Sequence, residues 1–254
     1  MARIYGLATG FDYRASADLM VGFALAGAGT SWSLSNNLGT GRSDVMQLGL
    51  YGSKQFGASY LSGALSYAWH GINTDRTVTV SGSDHLAANV DAHSFGGRIE
   101  TGHHFVTAFA GVTPYAALQA QIFHTPSYSE TAVSGSSAFA LSYDARSTVA
   151  TRTELGVWLD KTLPLDNGKV LALRAQAAWA NDHSNHQGVD AAFQSLPAST
   201  FTVNGAAAAT NLALLTAGTE LRLTNNVSLG AKLGGEFSSR TQTYSGTGTF
   251  RYVW

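Results

Sequence analysis

Apolar and polar residues alternate at every second position over spans of about ten residues, and the pattern returns along the whole 254-residue chain. Period two belongs to extended backbone, because successive side chains of a strand leave by opposite faces. Val227, Leu229, Ala231, Leu233 and Phe237 share one face of their span, and Ser228, Gly230, Lys232, Gly234, Glu236 and Ser238 share the other. Ala213, Leu215, Ala217, Leu221 and Leu223 likewise oppose Thr216, Gly218, Glu220 and Arg222. The same reading gives strands at 1–13, 19–33, 45–53, 59–69, 93–104, 113–124, 148–159, 170–180, 212–223, 227–239 and 244–254, eleven in all. No run of about 18 apolar residues occurs, so a membrane-spanning helix is excluded, whereas a strand barrel in a membrane is not.

The connectors alternate in length. Short ones at Arg14 to Asp18, Lys54 to Ala58, Lys161 to Lys169 and Thr224 to Asn226 interleave with long ones at Leu34 to Asp44, His70 to Ala92, Thr125 to Ser147 and Asn181 to Asn211. An antiparallel up-and-down sheet with turns at one rim and long loops at the other is the plan of outer-membrane barrels. The expected fold is therefore all-β, an antiparallel up-and-down transmembrane β-barrel in one domain over 1–254, with outer-membrane lipid against its apolar face.

Charge placement says which face is wet. Only 12% of residues are charged, about half the share of a soluble domain. Glu100, Glu154, Glu220 and Glu236 sit mid-strand on the polar face, and Glu130 alone lies in a loop. Arg98, Arg152 and Arg222 stand two positions from strand glutamates on the same face, joined by Arg174, Lys232 and Arg251 on other spans. Mixed signs suit a hydrated lumen in which neighbours neutralise one another. Tyr5, Tyr13, Tyr67, Trp69, Trp179, Tyr252 and Trp254 gather at the ends of the apolar face, as amphipathic rings do at a membrane interface, while Trp32 and Trp158 fall on the polar face.

Several chemistries are set aside. The net charge of -1 lacks the basic footprint of a nucleic-acid binder. The absence of Cys removes thiolate metal sites and Cys nucleophiles. Asp182, His183 and His186 share a loop without the helix or fixed turn a metal site needs, so no metal and no cofactor is expected. His93 with Ser94, or His124 with Ser127, could be assembled into a hydrolase constellation, but no nucleophile-elbow motif supports either. His103 and His104 read as solvated polarity beside a turn, and Gly246 and Gly248 precede no helix.

Read together, segments along the chain resemble the C-terminal translocator barrel of autotransporters, the type V secreted proteins of Gram-negative bacteria. They are GFDYRASADLMVGFALAGAGTSWSL at Gly10 to Leu34, YLSGALSYAWHG at Tyr60 to Gly71, FGGRIETGHHF at Phe95 to Phe105, TPYAALQAQIF at Thr113 to Phe123, AAFQSLPASTFTVNGA at Ala191 to Ala206 and SLGAKLGGEFSSRTQTYSGTGTFRYVW at Ser228 to Trp254. Phe250, Tyr252 and Trp254, on alternate positions at the chain's end, resemble the signal read by the barrel assembly machinery. The resemblance implies a monomeric, non-catalytic barrel of about twelve strands that supports export of its own N-terminal passenger, joined by a helix threading the lumen. Ten residues are then the expected lumen lining that meets the transiting chain: Arg98, Glu100, Arg152, Glu154, Arg174, Glu220, Arg222, Lys232, Glu236 and Arg251. An odd count of eleven spans further leads to the expectation that the chain lacks the barrel's first strand, the linker helix and the passenger. A freestanding small porin and a barrel hydrolase are the alternatives the residues leave open.

Overall fold

In a computed structural model, the described residues are 2–34, 39–80, 82–165, 168–185, 188–204 and 209–254. They form β1 (Ala2–Arg14), β2 (Leu19–Ser33), β3 (Gly39–Phe56), β4 (Ser59–Val78), β5 (Asp84–His103), β6 (Phe105–Val106), β7 (Gly111–Thr125), β8 (Tyr128–Ser129), β9 (Thr131–Ser134), β10 (Leu141–Tyr143), β11 (Arg146–Pro164), β12 (Val170–Ser184), β13 (Gly188–Phe193), β14 (Leu196–Asn204), β15 (Asn211–Arg222), β16 (Val227–Phe237) and β17 (Gln242–Tyr252). The main sheet follows the order β1-β2-β3-β4-β5-β7-β11-β12-β15-β16-β17, so eleven strands form an antiparallel meander, with β6 and β9 appended.

The sheet curls, and its inner face is identified by contacts that skip strands. Arg152 on β11 bonds to Glu236 on β16, although β12 and β15 lie between them. Arg98 on β5 reaches Glu154 on β11 across β7, and Tyr51 on β3 reaches Asp12 on β1 across β2. Residues that alternate with these carry the other face, where Leu7, Met46, Leu65, Leu233 and Phe250 are exposed. A belt of large apolar side chains around the whole sheet fits hydrocarbon and not water. The curl brings the two ends of the sheet together, with the Phe11 ring 5.3 Å from the ring of Trp254. No backbone ladder joins β1 to β17 among the described residues, and both strands are exposed throughout. After ten antiparallel steps, an even number, these two edges run in the same direction.

The connectors at the long-loop rim differ from the sequence expectation, being largely structured. A strand of about 9–11 residues crosses a bilayer, yet β4 and β5 have 20 each and continue past Trp69 and His93 as a paired ribbon down to Val78 and Asp84. Alternation in Gly71 to Val78 is blurred because neither face there meets lipid, so the period-two signal ends before the strand does. The connectors after β7 and β12 supply a second sheet in the order β14-β13-β10-β8. It sits against the inner face of the β5 extension, where Leu86 and Ala92 are 0% exposed, together with buried Ala140 and Ala191 of the connectors.

Candidate functional site

All ten predicted lumen residues share the inner face by register. Arg174 pairs with Gly218, Gly218 with Lys232, Glu220 with Gly230, and Arg222 and Arg251 both with Ser228. Their charge pairing departs from the expected neighbours two positions along a strand. Arg98 does bind Glu100 (2.7 Å), but its other guanidinium nitrogen goes to Glu154 (3.0 Å), the residue expected beside Arg152. Arg152 instead forms a fork on Asp182 (2.6 and 2.7 Å) and reaches Glu236 (3.0 and 3.2 Å). Glu220 takes Ser228 (2.5 Å) and Arg251 (3.6 Å), and leaves Arg222 exposed at the short-turn rim. The reason is spacing: positions two apart along a strand are separated by about 6.6 Å, whereas cross-strand neighbours approach to about 5 Å, and a curled wall adds partners from beyond the adjacent strand.

Around Glu154, which is 4% exposed, the network is dense. Tyr115 donates its hydroxyl to Glu154, Gln176 donates to both, and Tyr60 donates to Glu100 (2.7 Å). Removing one partner from such a buried charge set strands the others and costs about 3–5 kcal/mol. The face is therefore polar and cross-linked by side-chain hydrogen bonds around Glu154. Tyr60, Tyr115 and Gln176 were not singled out from the sequence, and Asp182 was weighed there only as a metal ligand in a loop; the same parity that marks Glu154 would have found them.

Glu130, which the sequence places in a loop, carries contacts that this placement does not announce. It is buried and accepts both ends of the Arg76 fork (2.9 and 2.6 Å), the Leu141 N–H (2.9 Å) and the Tyr143 hydroxyl (3.2 Å), while Gln194 donates to its carbonyl (2.7 Å). One carboxylate thus ties the second sheet to the β4 extension. Hydrogen bonding to Glu130 holds Arg76 more firmly protonated, and burial, then the Glu130 charge, pushes the Tyr143 phenol upward.

The hydrolase constellations do not assemble. His93 faces outward to Tyr67 (2.9 Å), whereas Ser94 faces inward to His70 (3.0 Å). His124 bonds to Ser147 (2.9 Å), and His103 bonds to Ser59 (2.8 Å). Asp182 is held by Arg152, and His186 lies outside the described residues. No group of three or more potential metal ligands forms among the described residues. At the chain's end, Phe250 and Tyr252 pair in register with Leu229 and Val227 on the outer face, and Trp254 stacks between Phe11 and Tyr252. Reciprocal backbone and amide bonds between Asn226 and Val253 pin this end to the last short turn.

The geometry has counterparts among known proteins. The family model described as "Autotransporter beta-domain" matches residues 1–234. An extracellular serine protease of Serratia marcescens is 28% identical over 242 residues, covering 95% of this chain and 23% of that protein. A second Serratia marcescens extracellular serine protease is 29% identical over 204 residues, covering 80% of this chain and 19% of its own length, so the chain spans under a quarter of these relatives. Among solved structures, the translocator domain of the autotransporter NalP from Neisseria meningitidis superposes with a TM-score of 0.80 at 16% identity, over 99% of this chain and 81% of that one. The β domain of the Bordetella autotransporter BrkA gives a TM-score of 0.73 at 16% identity, over 100% of this chain and 91% of that one.

Proposed function

The chain belongs to the autotransporter β-domain family, and on that footing we propose that it anchors in the outer membrane and passes an N-terminal passenger through its lumen to the cell surface. The observation that carries this reading is the division of one curled sheet into an apolar outer belt and an inner face wired by Arg98, Glu100, Glu154, Arg152, Asp182 and Glu236. A hydrated wall of mixed charge lets an extended, unfolded chain slide past without offering it a continuous apolar surface on which to stall.

The barrel acts without catalysis of its own, and any activity resides in the passenger. It is a monomer whose outer partners are lipid and, through Phe250, Tyr252 and Trp254, the barrel assembly machinery. The seam between β1 and β17 takes one further strand. Because both edges run the same way, a single strand running against them pairs antiparallel with each, and unpaired backbone in hydrocarbon costs several kcal/mol per group. That strand, a threading helix and the passenger belong upstream of Ala2 in this reading.

The test is a reporter passenger with a linker fused upstream, scored by protease accessibility on intact cells. Surface exposure is expected with the native barrel and is lost with Leu229→Arg plus Leu233→Arg. A reporter that stays periplasmic while the barrel is folded in the outer membrane contradicts the reading and favours a freestanding channel.

A further inference from the structure

On the lumen wall, Arg174 of β12, Gly218 of β15 and Lys232 of β16 stand in one register row, the glycine between two cations whose Cα atoms are about 10 Å apart. The row lies in a recess of about 570 Å³, bordered by Trp158, Glu220 and Arg251. Gly218 keeps its floor open: the nearest atoms to a Cβ there would be the Ala231 carbonyl at 3.4 Å and the Lys232 stem at 3.7 Å, ordinary contact distances.

Arg98, Arg152 and Arg251 on this wall are spent on carboxylate partners, and the acids nearest the recess are engaged elsewhere. Glu220 is taken by Arg251 and Ser228. Asp160 faces Arg174 in register but turns away over Gly111 toward His104 (3.7 Å). Among the described residues, neither Arg174 nor Lys232 has an acidic oxygen within the 4.0 Å of an ion pair. Arg174 lies instead over the Trp158 ring, its Cζ 4.3 Å from the centroid, and Trp158 Nε1 is buried without an acceptor. Two uncompensated cations and an orphaned donor around a glycine gap are an unfinished polar network, which a negatively charged oxygen would complete.

We infer that Arg174, Gly218 and Lys232 form a dock for a carboxylate carried by the polypeptide segment that occupies the lumen. The inference rests on the translocator reading and adds the chemistry of what is held there. The carboxylate enters the gap over Gly218 and accepts from Arg174 and Lys232. As Arg174 leaves the indole, Trp158 Nε1 gains access to the same anion. Arg251 and Glu220 close the recess toward the short-turn rim, so the docked acid belongs to the part of the segment nearer the periplasm.

The chain folded in detergent is titrated with a fluorescein-labelled peptide of alternating Ala and Glu, with its Gln counterpart as reference, and anisotropy is read. Binding of the Glu peptide is expected to weaken about tenfold for each cation removed in Arg174→Gln and Lys232→Gln, to stay unchanged in Arg240→Gln in the external turn, and to exceed Gln-peptide binding at least tenfold. Heat-modifiable migration reports folding of each variant. If the double variant does not fold, Gly218→Val, which fills the gap without changing charge, must give the same loss. Equal binding of the two peptides, or native affinity in Gly218→Val or the double variant, overturns the dock. Displacement of the peptide by equimolar inorganic phosphate makes it a free-anion site and overturns the assignment to a polypeptide. Intact peptide binding beside failed passenger display removes the translocator reading alone, whereas intact display beside absent binding removes the dock alone.

Discussion

The membrane-spanning wall and the small sheet outside it are built from the same kind of chain but held together differently. In the wall, each strand is fixed by two antiparallel neighbours and by the contrast between lipid and lumen, so no single side chain defines it. In the outer sheet, β8, β10, β13 and β14 are short, and one buried acid, Glu130, joins them to the β4 extension through Arg76. The difference teaches that a barrel distributes its stability along backbone ladders, whereas a structure assembled from loops concentrates it in a few polar contacts.

The sharpest way to break this comparison is to remove that one contact. Glu130→Ala should loosen the outer sheet by about 3–5 kcal/mol, since it leaves the Arg76 charge half-buried without its fork. Limited proteolysis is expected to open the 126–145 connector while the heat-modifiable barrel band persists; simultaneous loss of both would mean the two regions share one stability. Next in size is a charge on the lipid face. Leu229→Arg or Leu233→Arg should cost about 2–4 kcal/mol near the midplane, and Gln121→Arg on the inner face much less, measured by urea titration in lipid vesicles. Equal costs for the two faces would overturn the assignment of inside and outside.

These regions also differ in how far they could be read from residues alone. All eleven wall strands follow from period two, because lipid on one side and water on the other impose opposite demands on alternate positions from Val21 to Phe250. The parity of Glu154 and Arg152 was equally legible, but their partners were not. Which carboxylate meets Arg152 depends on curvature that brings β16 over β11, and no local spacing encodes that. The outer sheet was missed for a third reason. Its strands are short and lack a lipid-facing side, and its central acid looks like any loop glutamate until Arg76, 54 positions away, is brought to it by the β4 ribbon.

Smaller effects sharpen the same contrast. Replacing Phe250 and Trp254 together by Ser removes interface anchoring and the stack on Phe11, and should lower the amount of assembled barrel in cells several-fold while leaving the behaviour per folded molecule near native. Normal outer-membrane levels, judged by quantitative blotting, would count against an assembly signal. The outer sheet should also respond to alkali. Tyr143 has its phenol pushed above the usual value of about 10 by burial and by Glu130, so the folded sheet holds that proton more tightly than the unfolded chain does. Its contribution is complete below about pH 10 and fades as the pH climbs toward the raised value. Proteolysis of the 126–145 connector should therefore be flat between neutral pH and about pH 10 and accelerate above it. Tyr143→Phe should weaken the acceleration, and adding Tyr128→Phe, which removes a second phenol that burial pushes upward, should weaken it further.

The central claim, that the inner face meets a polypeptide in transit while the outer face meets lipid, is tested most directly by a photo-crosslinking amino acid at two successive positions of β15, Thr216 and Ala217, in cells carrying a stalled passenger fused upstream. Position 216 should yield an adduct with the passenger chain and position 217 should yield none. Adducts of equal yield at both positions, or at 217 alone, would contradict the account.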